Sequence, residues 1–407
     1  MKSNRAANTS LLLRGARLVL PEEVRDGASL LIEDGRIVSI LEASESSARA
    51  YAARTIELGG LTLWPGFIDA HIHGAVGMDT MEATPGELHR VSKFLAQHGV
   101  TAWLPTLVPA PAEDYERAAR AVAELMRGQD EFEEAGARVL GLHYEGPFVN
   151  NAQCGALRPA HFRTFNSAAE LDSLPTVNHA GAVHMMTLAP EVPGGLELIE
   201  ELKRRGWIVS IGHTRAGVEV LNQAVERGAR HMTHFMNAMS PLHHRAPGPV
   251  GWGLVRDDVT CDLIADGVHL DQLTLRLILK CKTAQRLSLI SDAVAPAGMG
   301  DGDYSLWDET IRVREGRTSN EQGSIAGSVI TLCDAARMML SLGVPFQEVA
   351  RMAALNPARL LSLDQLCGSL EEGKRADLLA LDEEGAVRLT IVGGRIVFEA
   401  NQESGSP

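Results

Sequence analysis

Apolar, strand-like segments alternate with amphipathic, helix-like segments through the middle of the chain, and this rhythm limits the possible fold more than any other feature. The strand-like segments are eight in number and span residues 67–73, 101–108, 138–146, 184–191, 207–214, 231–237, 260–269 and 286–293. The main helix-like segments between them span residues 85–98, 111–127, 195–205, 216–227 and 270–281. Strands and helices in alternation are typical of a parallel sheet, and eight such strands predict a (β/α)8 barrel of the TIM type. A doubly wound open sheet is the alternative, but no GxGxxG or Walker-type loop supports nucleotide binding on one.

Two β-rich segments flank this region. The first, about residues 10–63, carries Asp34-Gly35 between apolar runs, which is a typical hairpin turn. The last, about residues 367–400, has Gly393-Gly394 at its turn, and its GGRIVFE is similar to DGRIVSI in the first. We therefore expect residues 1–63 and 367–407 to form one small β-sandwich domain, with the barrel at residues 64–366. Two separate hairpins packed on the barrel are the alternative.

The first strand-like segment ends in His71-Ile72-His73, within the string WPGFIDAHIHG at residues 64–74. Alternate residues of a strand point to the same face, so the two imidazoles converge on one point. A buried strand that delivers two imidazoles at its C-terminal end is the pattern expected of a metal site at the mouth of a parallel barrel. The pair therefore predicts a metal site there.

Most of the other strand-like segments also end in ionisable or metal-binding side chains, namely Glu145, Glu191, His213, His234, His269 and Asp292. In a barrel these ends meet at one rim, where active sites form. Imidazoles combined with a carboxylate suit zinc, iron or a similar transition metal, whereas magnesium and calcium prefer oxygen ligands.

From this pattern we predict that Glu145, His213 and His234 bind a metal ion. His213 and His234 lie about one strand–helix unit apart, which places them on adjacent strands. Asp292 is predicted to be the general base, because a carboxylate beside a metal ion can take a proton from water and later give it to a leaving amine. Glu191 is interpreted as a capping or ion-pairing residue and is left out of the metal set.

Composition limits the partners of the chain. Its 407 residues carry 38 Lys and Arg against 52 Asp and Glu, a net charge of −14, which argues against nucleic acid or an anionic membrane as a partner. The five cysteines show no CxxC spacing, and the apolar run before Arg14 is too short for a signal peptide. We therefore expect a cytoplasmic protein with reduced thiols.

Longer strings make the chain similar to the amidohydrolase superfamily, and within it to the N-acetylglucosamine-6-phosphate deacetylase family. The strings that carry this resemblance over nearly the whole chain are PGFIDAHIHG (65–74), GLHYEGPF (141–148), LAPE (188–191), IGHTRA (211–216), THFMNAMSPLHHRAPG (233–248), LIADGVHL (263–270), SDAVAPAG (291–298) and SIAGS (324–328). Many other amidohydrolases bridge two metal ions with a carboxylated lysine at the end of the fourth strand. The fourth strand-like segment here contains no lysine, which leaves Glu145 as the available carboxylate.

The resemblance implies hydrolysis of the N-acetyl group of N-acetylglucosamine 6-phosphate by a homodimer, and the expected metal is zinc or iron. It implies that Glu145, His213 and His234 hold the principal ion and that His71 and His73 can hold a second. Asp292 matches the catalytic aspartate, and His269 matches a residue that contacts the substrate and the scissile region. We expect His269 to polarise the acetyl carbonyl together with the metal. The positions that match substrate contacts are Ala156, Asn237, Ala238, Ile325, Ala326, Gly327 and, for the phosphate and reaching across a dimer interface, Arg245.

Several alternatives remain open at this point. Some family members carry a histidine about where Leu157 stands, so N-acetylgalactosamine 6-phosphate is a possible substrate. A cyclic amidase is disfavoured by the missing lysine and by Arg245, and a catalytically silent scaffold is disfavoured by the full metal set. The identity of the metal and the choice between one ion and two are not decided by the sequence.

Overall fold

The computed structural model describes residues 10–42, 54–129, 135–307 and 309–400. The chain begins with strands that belong to a mixed sheet, and they are β1 (Leu11–Val19), β2 (Val24–Glu33), β3 (Arg36–Leu41), β4 (Arg54–Glu57) and β5 (Thr62–Pro65). Asp34 and Gly35 join β2 to β3 with φ values of 48° and 76°. Two positive φ values favour the type I′ turn, whose twist matches that of a hairpin. The hairpin predicted at Asp34-Gly35 is confirmed.

The barrel strands follow β5 and run parallel to one another. They are β6 (Phe67–Ile72), β9 (Val100–Leu107), the interrupted pair β10 (Arg138–Val139) and β11 (Gly141–Glu145), β12 (Val183–Leu188), β13 (Ile208–Ile211), β14 (His231–Met232), β15 (Thr260–Ile264) and β16 (Leu287–Ile290). Between β6 and β9 lies a short antiparallel pair, β7 (Gly74–Ala75) and β8 (Met78–Asp79). Each of the eight strand-like segments therefore contributes a barrel strand, and the predicted barrel is confirmed.

The ring of strands closes between β16 and β6 through backbone hydrogen bonds just beyond the strand ends. The Asp292 N–H donates to the His71 carbonyl at 3.0 Å, and the His73 N–H donates to the Ala293 carbonyl at 2.8 Å. The residues that join the first strand to the last are thus the same residues predicted to carry the chemistry.

The helices lie between successive barrel strands and after the last one. They are α1 (Pro85–Gln97), α2 (Ala112–Gly128), α3 (Gly195–Arg204), α4 (Val218–Arg227), α5 (Gly248–Val255), α6 (Gln272–Lys282), α7 (Leu332–Ser341), α8 (Phe346–Ala350) and, after a π-helical turn at Arg351–Leu355, α9 (Asn356–Leu360). The five predicted helices are confirmed to within two residues at each end. Helix α5 was missed because its sequence, GPVGWGLV, has low helix propensity and forms a helix through packing.

A small antiparallel sheet that was not predicted from the sequence lies between β16 and α7 along the chain. Its strands are β17 (Gly302–Leu306), β18 (Glu309–Arg314) and β19 (Arg317–Ser319). Trp307 stands at the turn between β17 and β18 with a φ of 54°. This sheet brings an indole ring to the mouth of the barrel.

The end of the chain completes the first sheet with β20 (Leu378–Leu381), β21 (Val387–Val392) and β22 (Arg395–Glu399). The strand order is β22-β21-β20-β5-β1-β2-β3, with β4 beside β1, so both ends of the chain form one sheet as expected. The β2–β3 and β21–β22 hairpin turns lie against each other. A Cβ on Gly35 would lie only 2.8 Å from the Gly393 carbonyl oxygen. Only glycine allows this approach, which explains the similar turn sequences at the two ends.

The cysteines and the helices bear on the expectations of reduced thiols and of no membrane partner. None of the five cysteines forms a disulfide. Within the ranges that the structure describes, no helix is both long enough and apolar enough to cross a membrane.

Candidate active site

Five of the predicted metal-binding and catalytic side chains meet at the carboxyl end of the barrel, and a sixth joins them through the last strand. Glu145 is the final residue of β11, and His213 and His234 lie two residues beyond β13 and β14. His71 lies in β6, with His73 just after it, and Asp292 follows β16. All six side chains are buried.

Their ligand atoms form two groups that share one carboxylate. In the first group, Glu145 Oε1 lies 2.9 Å from the Nε2 atoms of both His213 and His234, which are 3.1 Å apart. In the second group, the Nε2 atoms of His71 and His73 are 3.1 Å apart, and Glu145 lies 3.7 Å from the former and 3.3 Å from the latter. Within each group the ligand atoms lie within 4.8 Å of one another.

Asp292 stands on the side of the second group. Its Oδ1 atom lies 3.3 Å from His71 Nε2 and 3.2 Å from His73 Nε2. The carboxylate also lines the cavity above the two groups. It can therefore contact both a metal ion held by the imidazoles and a molecule in the cavity.

The pKa shifts in the cluster favour positive charge on two imidazoles and negative charge on Glu145. Burial by itself lowers the pKa of His73, but hydrogen bonds to Asp292 and Glu145 outweigh burial and raise it to about 10. Burial is likewise outweighed at His234, where Glu145 raises the pKa to about 9. Burial favours a high pKa at Glu145, yet His71 and the hydrogen bonds from its other imidazole neighbours hold that pKa well below its usual range.

The donor chemistry fits a divalent transition metal. His213 Nδ1 lies 2.8 Å from the Gln153 carbonyl, which can only accept, so Nδ1 carries the proton and Nε2 of a neutral ring presents a lone pair. That lone pair faces the ionised Glu145 carboxylate at 2.9 Å, and two electron-rich groups placed in this way are stabilised by a cation between them. Imidazole nitrogens with one carboxylate are the ligands that zinc and iron accept.

The backbone at three of these residues is left-handed, with φ values of 47° at His213, 31° at His234 and 49° at Asp292. A non-glycine residue in this region costs on the order of 1–3 kcal/mol and persists only where its surroundings fix it. The Asp262 carboxylate accepts the His234 N–H, and the Asp292 N–H donates to His71. These hydrogen bonds help to fix the left-handed backbone at His234 and Asp292.

Residues that the sequence interpretation missed support the cluster from below. Asp69 accepts hydrogen bonds from the backbone N–H of His71 at 3.4 Å and of Ser291 at 3.2 Å, and burial raises its pKa to about 7. His143 packs edge-on against His71, with ring centres 4.7 Å apart, and hydrogen-bonds to Thr187 at 2.8 Å. Polar residues inside otherwise apolar strands were the available signal for both.

Glu191 lies outside the metal cluster, as predicted. Its carboxylate accepts hydrogen bonds from the Asn150 side chain at 2.8 Å, the Thr214 hydroxyl at 2.6 Å and the Arg215 N–H at 2.6 Å. These bonds tie the loop after β11 to the segment that follows His213. Glu191 therefore fixes the loop that covers His213 and is not placed to bind the ion.

A cavity of about 300 Å³ opens above the metal cluster. It is lined by six of the positions predicted to contact substrate, which are Ala156, Asn237, Ala238, His269, Ile325 and Gly327. Ala326 is buried beside them and does not line the cavity. Leu157 and Trp307, which were not among the predicted substrate contacts, also line the cavity.

Arg245, like Ala326, is a predicted contact that does not line the cavity. It lies in an exposed loop, residues 241–247, where its guanidinium contacts His244 Nε2 at 2.8 Å. Among the described residues that line the cavity there is no lysine or arginine. A phosphate in this cavity therefore needs a cation from elsewhere.

Comparisons with known proteins identify relatives across nearly the whole chain. Residues 62–397 match the model of the amidohydrolase family. An N-acetylgalactosamine-6-phosphate deacetylase of Escherichia coli O157:H7 is 37% identical over 95% of this chain and 98% of its own length. An N-acetylglucosamine-6-phosphate deacetylase of Bacillus subtilis (strain 168) is 34% identical over 97% of this chain and 99% of its own length.

The fold has the same relatives. A mutant N-acetyl-D-glucosamine-6-phosphate deacetylase of Mycobacterium smegmatis, solved in complex with N-acetyl-D-glucosamine-6-phosphate, superposes with a TM-score of 0.86 at 32% identity. The superposition covers 96% of this chain and 99% of the other.

We predict that Glu145→Gln lowers the metal content of the purified protein, because Glu145 is the one carboxylate that both groups share. Elemental analysis after purification without chelator measures this, and the variant should retain less than half the metal of the wild type. Glu200→Gln is the matched control, since it alters an exposed carboxylate of α3 that pairs with Arg227, and it should keep its metal. Equal metal content in Glu145→Gln and the wild type would contradict the assignment.

Proposed function

Because the chain belongs to the amidohydrolase family, we propose that it is a metal-dependent deacetylase of N-acetyl-D-glucosamine 6-phosphate. It hydrolyses the N-acetyl group to give D-glucosamine 6-phosphate and acetate. The observation that carries the proposal is the cluster of Glu145, four imidazoles and Asp292 at the floor of a cavity large enough for a small sugar phosphate. Relatives that match nearly the full chain bear the names of deacetylases of this kind.

The residues of the cluster have separate roles in this reaction. Glu145, His213 and His234 would hold the principal ion, with His71 and His73 able to hold a second. A bound divalent ion supplies Lewis-acid chemistry, polarising the amide carbonyl and acidifying the attacking water. Asp292 accepts the proton of that water and delivers it to the nitrogen as the C–N bond breaks, so that the amine leaves neutral.

The metal is proposed to be zinc or iron, with one or two ions in each subunit. The ligand set of imidazoles and one carboxylate supports either metal. The sharing of Glu145 between two groups supports a second ion beside the first. We place the protein in the cytoplasm, which agrees with the absence of disulfides among its five cysteines.

A second candidate substrate is N-acetylgalactosamine 6-phosphate, which differs only in the configuration at C4. It is favoured by the name of the E. coli relative, at 37% identity. Leu157 lines the cavity at about the position where the family resemblance implies a histidine in some members, so this part of the wall is apolar here.

The choice between the epimers is tested by acetate release from the two sugar phosphates under identical conditions. We expect the larger kcat/KM for N-acetylglucosamine 6-phosphate. A larger value for N-acetylgalactosamine 6-phosphate selects the second candidate, and no acetate from either substrate contradicts the proposed function.

Replacement of the proposed base tests the mechanism. Asp292→Asn removes the proton acceptor and keeps the size of the side chain, so kcat should fall by about 10²- to 10⁴-fold, the range for loss of general-base catalysis. Acetate release and metal content are measured together, and the metal content should be retained. Asp303→Asn, which alters an exposed aspartate of β17, is the control and should keep wild-type kcat. A near-normal rate for Asp292→Asn would contradict the mechanism.

We further propose a homodimer in which Arg245 of each subunit reaches the cavity of the other. The cavity wall lacks lysine and arginine, whereas a phosphate favours a forked guanidinium. Exposed apolar side chains occur in the Arg245 loop and in the two helices that follow it, with exposures of 52% at Leu242, 75% at Val255 and 77% at Leu273. Helix α5 packs against α6, and Gly251 of α5 lies beside Leu242.

Leu273→Glu should break this dimer, because it places a charge at the most exposed of these apolar side chains without touching the interior. Light scattering should give the mass of a monomer, and the KM for the phosphorylated sugar should rise at least tenfold, as it should for Arg245→Ala. Leu366→Glu, at a half-exposed leucine elsewhere on the surface, is the matched control and should remain dimeric. A monomeric wild type with an unchanged KM in Arg245→Ala would contradict the proposal.

A further inference from the structure

A carboxylate outside the metal cluster holds one of the cavity histidines in place. Asp266 Oδ2 lies 2.7 Å from His269 Nδ1, while Asp266 Oδ1 accepts the backbone N–H groups of Val268 and His269, each at 2.8 Å. Gly267, with a φ of 75°, allows the tight turn that brings the carboxylate back over the ring. Both side chains are well shielded from solvent, with exposures of 5% for Asp266 and 7% for His269.

These contacts determine which nitrogen of His269 carries the proton. Burial favours a high pKa at Asp266, but the hydrogen bonds from the His269 ring and from the two backbone N–H groups outweigh burial and lower it. An ionised carboxylate only accepts hydrogen bonds, so the proton between the two residues belongs to Nδ1. In a neutral ring Nε2 then presents a lone pair.

His269 Nε2 is the nitrogen left for a ligand. It makes no hydrogen bond within the part of the chain that the structure describes, and His269 lines the cavity above the metal cluster. A neutral ring in this tautomer accepts hydrogen bonds at Nε2 and has no proton to offer a carbonyl oxygen there. The groups of a sugar phosphate that donate to such an atom are its hydroxyls.

We propose that Asp266 is a positioning residue, which fixes His269 in the Nδ1–H tautomer so that Nε2 accepts a hydrogen bond from a hydroxyl group of the sugar. The inference rests on the proposed function and assigns His269 to recognition of the sugar ring, whereas the expectation from the sequence is that it polarises the acetyl carbonyl. It adds Asp266 to the residues that decide which sugars bind.

Asp266→Asn tests the proposal because it reverses the hydrogen bond without changing the shape of the side chain. The amide oxygen can still accept the two backbone N–H groups, but the amide nitrogen donates to His269 Nδ1 and moves the ring proton to Nε2. We expect kcat/KM to fall by about tenfold to a hundredfold, the range found when a residue that orients a histidine is replaced. Metal content should not change.

Asp271→Asn is the matched control, since Asp271 lies in the same loop and caps α6 by accepting the Leu273 N–H at 2.8 Å. It should keep wild-type kcat/KM. A loss in Asp271→Asn equal to that in Asp266→Asn would show that disturbance of the loop causes the effect, and would overturn the proposal.

Nitrogen-15 NMR of the imidazoles gives a readout that does not depend on turnover. At about pH 8, where an ordinary imidazole is neutral, the His269 signals, assigned by their loss in His269→Gln, should show an unprotonated Nε2 in the wild type and a protonated Nε2 in Asp266→Asn. A protonated Nε2 in the wild type, or wild-type kcat/KM in Asp266→Asn, overturns the inference. If the wild type releases no acetate, the proposed function fails, while the nitrogen signals still decide the tautomer.

Discussion

The carboxylate of Glu145, buried among imidazoles, is the interaction on which the barrel rim depends. An ionised carboxylate away from water is costly by several kcal/mol unless hydrogen bonds or positive charge compensate it. Here the compensation comes from His71, His73, His213 and His234, which lie on three other parts of the ring of strands. Only the closed barrel brings these groups together, so formation of the site and closure of the fold are coupled, and an ion bound there stabilises the folded chain.

A second layer of aspartates gives the site its geometry. Asp69 binds the backbone of the first and last barrel strands, Asp262 holds the backbone of His234, and Asp266 holds the ring of His269. None of these three aspartates lines the cavity. Side chains fixed in this way need no rearrangement when a ligand arrives, which is how outer residues tune a metal site.

The strand ends could be predicted from the sequence because parallel strands deliver their carboxyl ends to one edge, so that Glu145, His213 and Asp292 had to meet. The left-handed backbone at His213 and Asp292 could not be predicted from the sequence, since it results from tertiary contacts and has no local signature. The sheet that carries Trp307 was also missed, because its short, charged strands resemble a loop. The binding role of Arg245 stays a prediction, as the residue lies outside the cavity of its own subunit.

Anomalous X-ray scattering from crystals of the protein, purified without chelator and measured on both sides of the zinc and iron absorption edges, tests the central claim most directly. We expect an anomalous peak from a metal ion within about 2.0–2.2 Å of Glu145 Oε1, His213 Nε2 and His234 Nε2, the usual range for zinc bonds to nitrogen and oxygen. A metal-loaded crystal that shows no peak between these three atoms, or shows its peak at a different set of side chains, would contradict it.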